Sequence, residues 1–285
     1  MVEGVQPFYQ NVQAHYDLSN EFFALFLDPT MTYSCAYFEH PQMTLEEAQL
    51  AKIDLSLGKC DLQAGQRLLD VGCGWGALVR RAADRRGIRA IGLTLSKNQH
   101  DAARAACSGR SDIEIRLQGW EEFDEPVDRI ISIGALEHFR IDRYDLFFQR
   151  CMQILPAGGR MLIHSIVAGK KDALAPGERW YDREFVGYLR FMSEAIFPGA
   201  QVPQREVVIA AAERNGFAVT NLQSLQSHYA RTLDCWEASL VAAKERTRAI
   251  VPYETYENYV RYLRQSAHYF RTRHSDVVQF TMERR

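Results

Sequence analysis

The sequence predicts an α/β fold, a largely parallel sheet with helices on both faces. Three observations carry that expectation. Between residues 67 and 167, short β-branched runs alternate with amphipathic helical runs, the pattern of strands buried between two helical layers. A glycine-rich turn, Gly72-Cys73-Gly74-Trp75-Gly76, joins the first such run to the next helix. A chain of 285 residues, 47% hydrophobic and 25% charged, has the composition of one large globular domain, which excludes a disordered or fibrous class. Residues 1–285 are thus expected to form a single domain, with 1–60 as an N-terminal helical cover and 168–203 as an inserted lid.

The first forty residues are rich in aromatics, among them Phe8, Tyr9, Tyr16, Phe22, Phe23, Phe26, Tyr33 and Tyr37. They are too apolar for a solvated tail and should pack on the main domain as short helices and a loop. From Thr44 a helix is expected, because Thr44 and Glu47 make a capping box ahead of Ala48, Ala51, Ile53, Leu55 and Leu57. Strand RLLDV (67–71) leads to helix ALVRRAADRR, strand RAIGLTL, helix SKNQHDAARAAC and strand IEIRLQ. Strand RIISIG, helix RYDLFFQRCMQIL and strand GRMLIHSIV follow. Helix REVVIAAAERNG, strand AVTNLQSL, two helices and strand DVVQFTMER close the chain. The stretch from Ala168 to Pro203 is too long for a plain connection, which is why it reads as a lid.

Several function classes drop out. With a net charge of −2 the chain offers no overall pull on nucleic acid. Six scattered cysteines without a C-x-x-C pair, and eight histidines without a clustered motif, suit neither a disulfide framework nor a metal site. No apolar run reaches the length of a membrane span, and the N-terminal residues lack a basic-then-apolar signal, so a cytoplasmic protein is expected.

The glycine turn carries the first chemical signal. A strand–glycine-loop–helix lets backbone amides approach a ligand beside the positive end of a helix dipole. The spacing is not G-x-G-x-x-G and no G-K-[ST] follows, which excludes a phosphate-binding P-loop. Preceded by Asp70, the run Leu68 to Gly76 resembles motif I of S-adenosylmethionine-dependent methyltransferases. An acidic residue often ends the second strand in such enzymes, but here Thr94-Leu95-Ser96-Lys97-Asn98-Gln99 stands there, offering hydroxyl and amide partners instead. Trp120 beside Glu121 suits an adenine ring, although a core tryptophan and a surface acid would look the same.

Together with YSCAYF (33–38), GLTLSKNQ, GWEEFDEPVDRI, SIGALEHF and HYARTLDCW, these segments resemble the mycolic acid cyclopropane synthases and methyltransferases, within the cyclopropane-fatty-acid synthase family. The resemblance runs from about Val12 to Thr281. It implies a Rossmann-like, seven-stranded class I methyltransferase sheet ending in an antiparallel hairpin. It implies that Tyr33, Ser34, Asp70, Gly72, Cys73, Gly74 and Gly76 bind S-adenosylmethionine from one side. Thr94, Leu95, Ser96, Gln99, Trp120 and Glu121 would bind it from the other.

The reaction implied is transfer of a methyl or methylene group to a carbon–carbon double bond of a lipid acyl chain, through a carbocation. Such a site must place negative charge near the cation, exclude water and offer a weak base. By resemblance that base is bicarbonate, held at Cys35, Glu137, His164 and Tyr229, the last on the strand before the final helices. Singly, Cys35 reads as a small buried residue, His164 as a core histidine, Tyr229 as a packed ring and Glu137 as a helix-start acid. Their coincidence in matched motifs favours the catalytic reading.

There are three departures from the family pattern. Ser266 replaces a cysteine, Arg140-Ile141 replaces Gly-His after Glu137-His138-Phe139, and His274 replaces a tyrosine. In the lid, Phe185, Tyr188, Leu189 and Met192 recur at helical spacing and could line an acyl tunnel, or simply a core. Arg179, Asp182, Arg183 and Glu184 make this segment more polar than usual, which suggests a shorter or more polar acceptor. The alternatives are a C-methyltransferase acting on a small electron-rich natural product, and a non-catalytic binding protein. Arg81, Arg85 and Arg89 suggest a basic face for an acidic acyl carrier protein, although such runs are usually solvated.

Overall fold

Ser19 starts the described N-terminal segment, its hydroxyl accepting the Phe22 N–H at 3.2 Å to cap a short helix, α1 (Asn20–Phe23). The computed structural model describes residues 7, 18–170 and 182–285. Phe8, Tyr9 and Tyr16 of the aromatic run, and Arg179 of the lid, lie outside the described residues. Phe22, Phe23 and Phe26 are fully buried, and Phe22 meets Tyr259 edge-on at 4.8 Å. Each such ring contributes about 1.5–3 kcal/mol by leaving water, enough to hold the segment against the domain. In α2 (Leu45–Lys59) the expected capping box is present, the Thr44 N–H donating to Glu47 Oε2 at 2.8 Å.

β1 (Arg67–Val71) forms because both its faces are apolar: Leu68 packs with Ile53 and Leu57, whereas Leu69 and Val71 face Phe147 and Phe148. Gly76 takes a left-handed φ of 80° to start α3 (Ala77–Arg86), and Gly87 closes that helix at φ 58°. β2 (Arg89–Thr94) leads into α4 (Lys97–Ala106), capped by the Ser96 hydroxyl. β3 (Ile113–Leu117), β4 (Arg129–Ile133), α5 (Tyr144–Ile154) and β5 (Arg160–Ala168) complete the parallel part. Asp182 caps α6 (Arg183–Phe191), which runs into a π-helical turn at Met192–Ile196. The remainder is α7 (Arg205–Arg214), β6 (Phe217–Ser224), α8 (Gln226–Ala242), α9 (Lys244–Arg248), α10 (Tyr253–Arg271) and β7 (Ser275–Arg284).

The seven strands lie in the order β3-β2-β1-β4-β5-β7-β6. All pairs from β3 to β5 are parallel, and β7 runs antiparallel between β5 and β6. The expected antiparallel pairing of the last two strands is present, but α8, α9 and α10 separate them in the chain, so they form no tight hairpin. Among the described residues, no helix is long and apolar enough to cross a membrane.

One local expectation is corrected, and the basic run of α3 gains a partner. Tyr229 sits in the first turn of α8, not on a strand: β6 stops at Ser224, whose hydroxyl accepts the Gln226 N–H at 3.4 Å and turns the chain into the helix. Arg81 is not a solvated cation, because its guanidinium makes a two-point ion pair with Asp54 of α2. Arg85 and Arg89 are exposed, but Arg89 pairs in register with Arg67 at the start of β1 and β2. Arg89, with Arg85 in the helix turn just before it, therefore lies at the amino end of the parallel strands, opposite the end that carries the glycine turn.

Candidate active site

The carboxyl ends of β1, β2 and β4 open onto a cavity of about 140 Å³. Of the residues expected to hold the cofactor, Tyr33, Ser34, Asp70, Gly72, Cys73, Gly74, Thr94, Leu95, Gln99, Trp120 and Glu121 line it. Gly76 and Ser96 do not; they cap α3 and α4 and hold the lining in place from behind. At Gly72, φ 87°, an added Cβ would fall 2.6 Å from the Ala135 Cβ, so only glycine lets the turn pass that close. At Gly74 an added Cβ would meet nothing within 4 Å, but the left-handed φ of 54° disfavours any side chain there.

Polar groups around this cavity are unusually well buried. Burial pushes the Asp70 and Glu121 carboxyls up to about 7. Arg143 lies 3.5 Å from Glu121 Oε1, whereas Oε2 is buried with no hydrogen-bond partner among the described residues. Thr94 donates to Gln99 Oε1 at 3.0 Å, which leaves the Gln99 amide hydrogens for a ligand. Trp120 is braced by Phe139 and Phe147 at ring distances of 5.8 and 5.3 Å. An orphaned carboxylate oxygen, free amide donors and a glycine cradle fit an adenosyl amino acid such as S-adenosylmethionine.

A residue absent from the sequence-based set is Lys52. Its side chain lines the cavity at 1% exposure, and Nζ donates to Ser34 Oγ at 2.6 Å. Burial pulls this ammonium down to about 8, while Cys35, Asp28 and Asp70 favour its charged form. Ala48 and Ser56, one turn away on either side, are also buried, so Lys52 lies on the inward face of α2.

A second cavity, of about 400 Å³, shares the wall made by Tyr33, Ser34, Gly134 and His138. It brings together Cys35, Glu137, His164 and Tyr229 from four separate segments. Glu137 Oε1 accepts the Ile166 N–H at 2.6 Å, and Oε2 is buried without a hydrogen-bond partner among the described residues. Burial raises its pKa to about 7. Burial holds His164 well below the usual imidazole range and His138 down at about 4, so both rings are neutral. Burial raises the Cys35 thiol, and Sγ contacts backbone carbonyls, which leaves no thiolate nucleophile.

Phe185, Tyr188, Leu189 and Met192 line this cavity together, as their helical spacing suggests. Two of the positions that depart from the family pattern, Ser266 and His274, also line it, and Tyr188 and Ser266 share a hydrogen bond of 3.0 Å. Tyr262, in α10, is a further residue that pattern reading did not single out. Its hydroxyl joins those of Tyr33, at 3.3 Å, and Tyr229. Seen as one of many aromatics in an amphipathic helix, it carries no signal of its own.

Comparison with known proteins agrees with this geometry. Residues 5–280 match the family model for mycolic acid cyclopropane synthetase. The chain is 49% identical to cyclopropane mycolic acid synthase 1 of Mycobacterium tuberculosis, over the full length of both. It is also 49% identical to cyclopropane mycolic acid synthase MmaA2 of the same organism, covering 99% of each chain. The solved structure of MmaA2 superposes with a TM-score of 0.95 at 48% identity, over 99% of this chain and 100% of that one. Mycolic acid cyclopropane synthase CmaA1, complexed with SAH and CTAB, gives a TM-score of 0.94 at 50% identity, over 98% and 99% of the two chains. Matched along nearly its whole length in both sequence and fold, the chain belongs to the mycolic acid cyclopropane synthetase family.

Proposed function

We propose that this enzyme transfers a methyl or methylene group from S-adenosylmethionine to a carbon–carbon double bond of an unsaturated fatty or mycolic acyl chain, giving a cyclopropane or a methyl branch. The observation that carries the reading is the common wall of Tyr33, Ser34, Gly134 and His138, which sets a donor in one cavity against an acyl chain in the other. The similar CmaA1 structure, holding SAH and CTAB, supports the same pairing of demethylated cofactor and long-chain ligand.

Asp70, Thr94, Gln99, Glu121 and the cradle at Gly72 and Gly74 would hold S-adenosylmethionine, which supplies an electrophilic methyl on a sulfonium. An alkene is a weak nucleophile, so the chief contribution of the protein is to fix its approach; that is worth several kcal/mol when reacting atoms are held in contact. The walls at Phe185, Tyr188, Met192 and Phe270 keep out water that would otherwise capture the cation. Ionised Glu137 places negative charge beside the positive charge that develops on the acyl carbon.

Cys35, Glu137, His164 and Tyr229 would hold bicarbonate, a weak base for the proton shed by the added methyl as the ring closes. The unpaired Glu137 Oε2 supports that assignment, since it accepts the hydroxyl of a singly protonated oxyanion. The division into an N-terminal cover (1–60) and a lid (168–203) is supported by their described residues, since Tyr33 and Ser34 wall both cavities and Phe185, Tyr188, Leu189 and Met192 wall the second. Ser266, His274 and the Tyr188 hydroxyl make part of the acyl cavity polar, which favours an acceptor shorter or more polar than a mycolic chain.

If an acidic acyl carrier protein delivers that chain, the run Arg81, Arg85 and Arg89 is not favoured as its docking face. Arg85 and Arg89 lie at the amino end of the parallel strands, and Arg81 is engaged by Asp54. Six free cysteines, five of them buried, suit the reducing cytoplasm. Mass spectrometry of lipids from a host with and without the protein tests the function. A lipid class heavier by one methylene is expected. Unchanged lipids, with methylation of a small electron-rich compound instead, would overturn it.

A further inference from the structure

Behind His164 lies a set of polar side chains that takes no part in the chemistry above. His164 of β5 is opposite Gln279 of β7 in the sheet register, and Gln279 is opposite Gln223 of β6. The three therefore stand on one rung, on one face of the sheet. Lys59, the last residue of α2, crosses that rung and donates to both Gln279 Oε1 and Gln223 Oε1 at 2.6 Å. Gln279 Nε2 contacts Ser56 Oγ at 3.1 Å and His164 Nδ1 at 3.3 Å.

The network has one self-consistent assignment of hydrogens. An ammonium only donates, so the oxygen of the Gln279 amide must face Lys59 and its NH2 must face the histidine. Ser56 fits, because its hydroxyl donates to the Lys52 carbonyl at 2.8 Å and is left to accept from Gln279. An NH2 group accepts nothing, so Nδ1 of His164 must be the acceptor. The ring is neutral through burial, and its single proton therefore sits on Nε2, the nitrogen left toward the acyl cavity that His164 lines.

We propose that Gln279, oriented by Lys59 and Ser56, is a positioning residue that locks His164 in the Nε2–H tautomer, so that the ring meets the acyl cavity as a neutral hydrogen-bond donor. In the wall of the same cavity, ionised Glu137 offers Oε2, which has no hydrogen-bond partner among the described residues, as an acceptor. A donor and an acceptor facing one space select a small oxyanion that still carries one proton, and they reject a fully deprotonated dianion, which Glu137 repels. This deepens the function proposed above and rests on it only for its effect on turnover; the tautomer itself does not depend on that reading.

The test uses the full-length protein labelled with 15N-histidine, with two-bond 15N–1H correlations reporting which ring nitrogen holds the proton. The wild-type His164 should show a bare Nδ1 and a protonated Nε2. Gln279→Glu, which puts acceptors against the ring, should protonate Nδ1 and lower kcat by ~10-fold or more, while calorimetric affinity for S-adenosylmethionine stays within ~2-fold and confirms the fold. Lys59→Met, which frees the amide to flip, should likewise mix the tautomers, and Lys59→Arg should restore the single form. A wild-type ring protonated on Nδ1, or a Gln279→Glu ring that keeps Nδ1 bare, overturns the lock. A switched tautomer with unchanged kcat overturns its role in the reaction. Should the lock hold in a protein that modifies no lipid, the proposed function fails and the lock stands.

Discussion

Replacing Glu137 with glutamine should weaken the enzyme as a catalyst and strengthen it as a folded protein at alkaline pH. Burial lifts the carboxyl from its ordinary 4.5 to about 7, so the folded chain holds this proton more tightly than the unfolded chain does. Below pH 4.5 both states carry the proton, and Glu137 contributes nothing to the pH dependence. From there to about pH 7 the unfolded chain releases it first, so stability falls as pH rises through that window. Above it the folded state holds a buried carboxylate at a cost of about 3 kcal/mol. Glutamine removes that cost and keeps an oxygen for the Ile166 N–H, but its NH2 replaces an oxygen that has no hydrogen-bond partner among the described residues, and an amide buried without its full complement of acceptors costs about 1–3 kcal/mol. The net gain at pH 8 is on the order of 1 kcal/mol, or about 2 °C in Tm for a chain of 285 residues. At pH 4.5 the gain vanishes and only the loss remains, so the variant should then melt below wild type. Turnover at pH 8 should fall ~100-fold or more with cofactor affinity retained. Thermal melts at the two pH values and a lipid methylation assay check this. A variant less stable than wild type by the same amount at both would show that Glu137 is not held as a strained buried acid, and the argument for its role would go with it.

Gly74→Val should abolish S-adenosylmethionine binding by calorimetry while leaving the far-UV circular dichroism largely unchanged, since a β-branched residue is strained at the left-handed φ of 54° and the turn that lines the cavity must shift to carry it. Lys52→Met should strand Asp70 and Ser34 without their buried cation; a loss of ~10-fold or more in cofactor affinity, with a stability cost of up to about 3 kcal/mol, is expected from calorimetry and denaturant melts. Met192→Glu, which sets a charge in the acyl wall, should raise the KM for the lipid ~10-fold with the cofactor Kd unchanged. Arg85→Glu combined with Arg89→Glu should leave turnover of a carrier-bound chain within ~2-fold at low and high salt, as befits residues at the amino end of the parallel strands.

The parts of this molecule that were legible in the sequence are those set by neighbours in the chain. β1 and α3 fall on the expected residues because an apolar run, a glycine turn and a helical period are all local properties, and the Thr44–Glu47 box marks its helix for the same reason. Of the four residues matched to the bicarbonate site, Glu137 and His164 meet because β4 and β5 are parallel neighbours, as alternation implies, whereas Cys35 and Tyr229 reach the same cavity from a loop and a helix outside that pattern. What was not legible depends on contacts between distant segments. A lysine in an amphipathic helix reads as a solvated cation, and only Ser34, Asp28 and Asp70 arriving from other segments make Lys52 a buried one. The pairing of Arg81 was hidden for the same reason, since Asp54 reaches it from the preceding helix. Gln279 shows the limit most clearly. Nothing in VVQFTM distinguishes it from any strand residue, yet the register that sets it opposite His164, and the helix end that brings Lys59 above it, leave its amide only one orientation. The direction of a single hydrogen bond in the site is thus decided by the order of strands in the sheet, a property that no short stretch of this sequence contains.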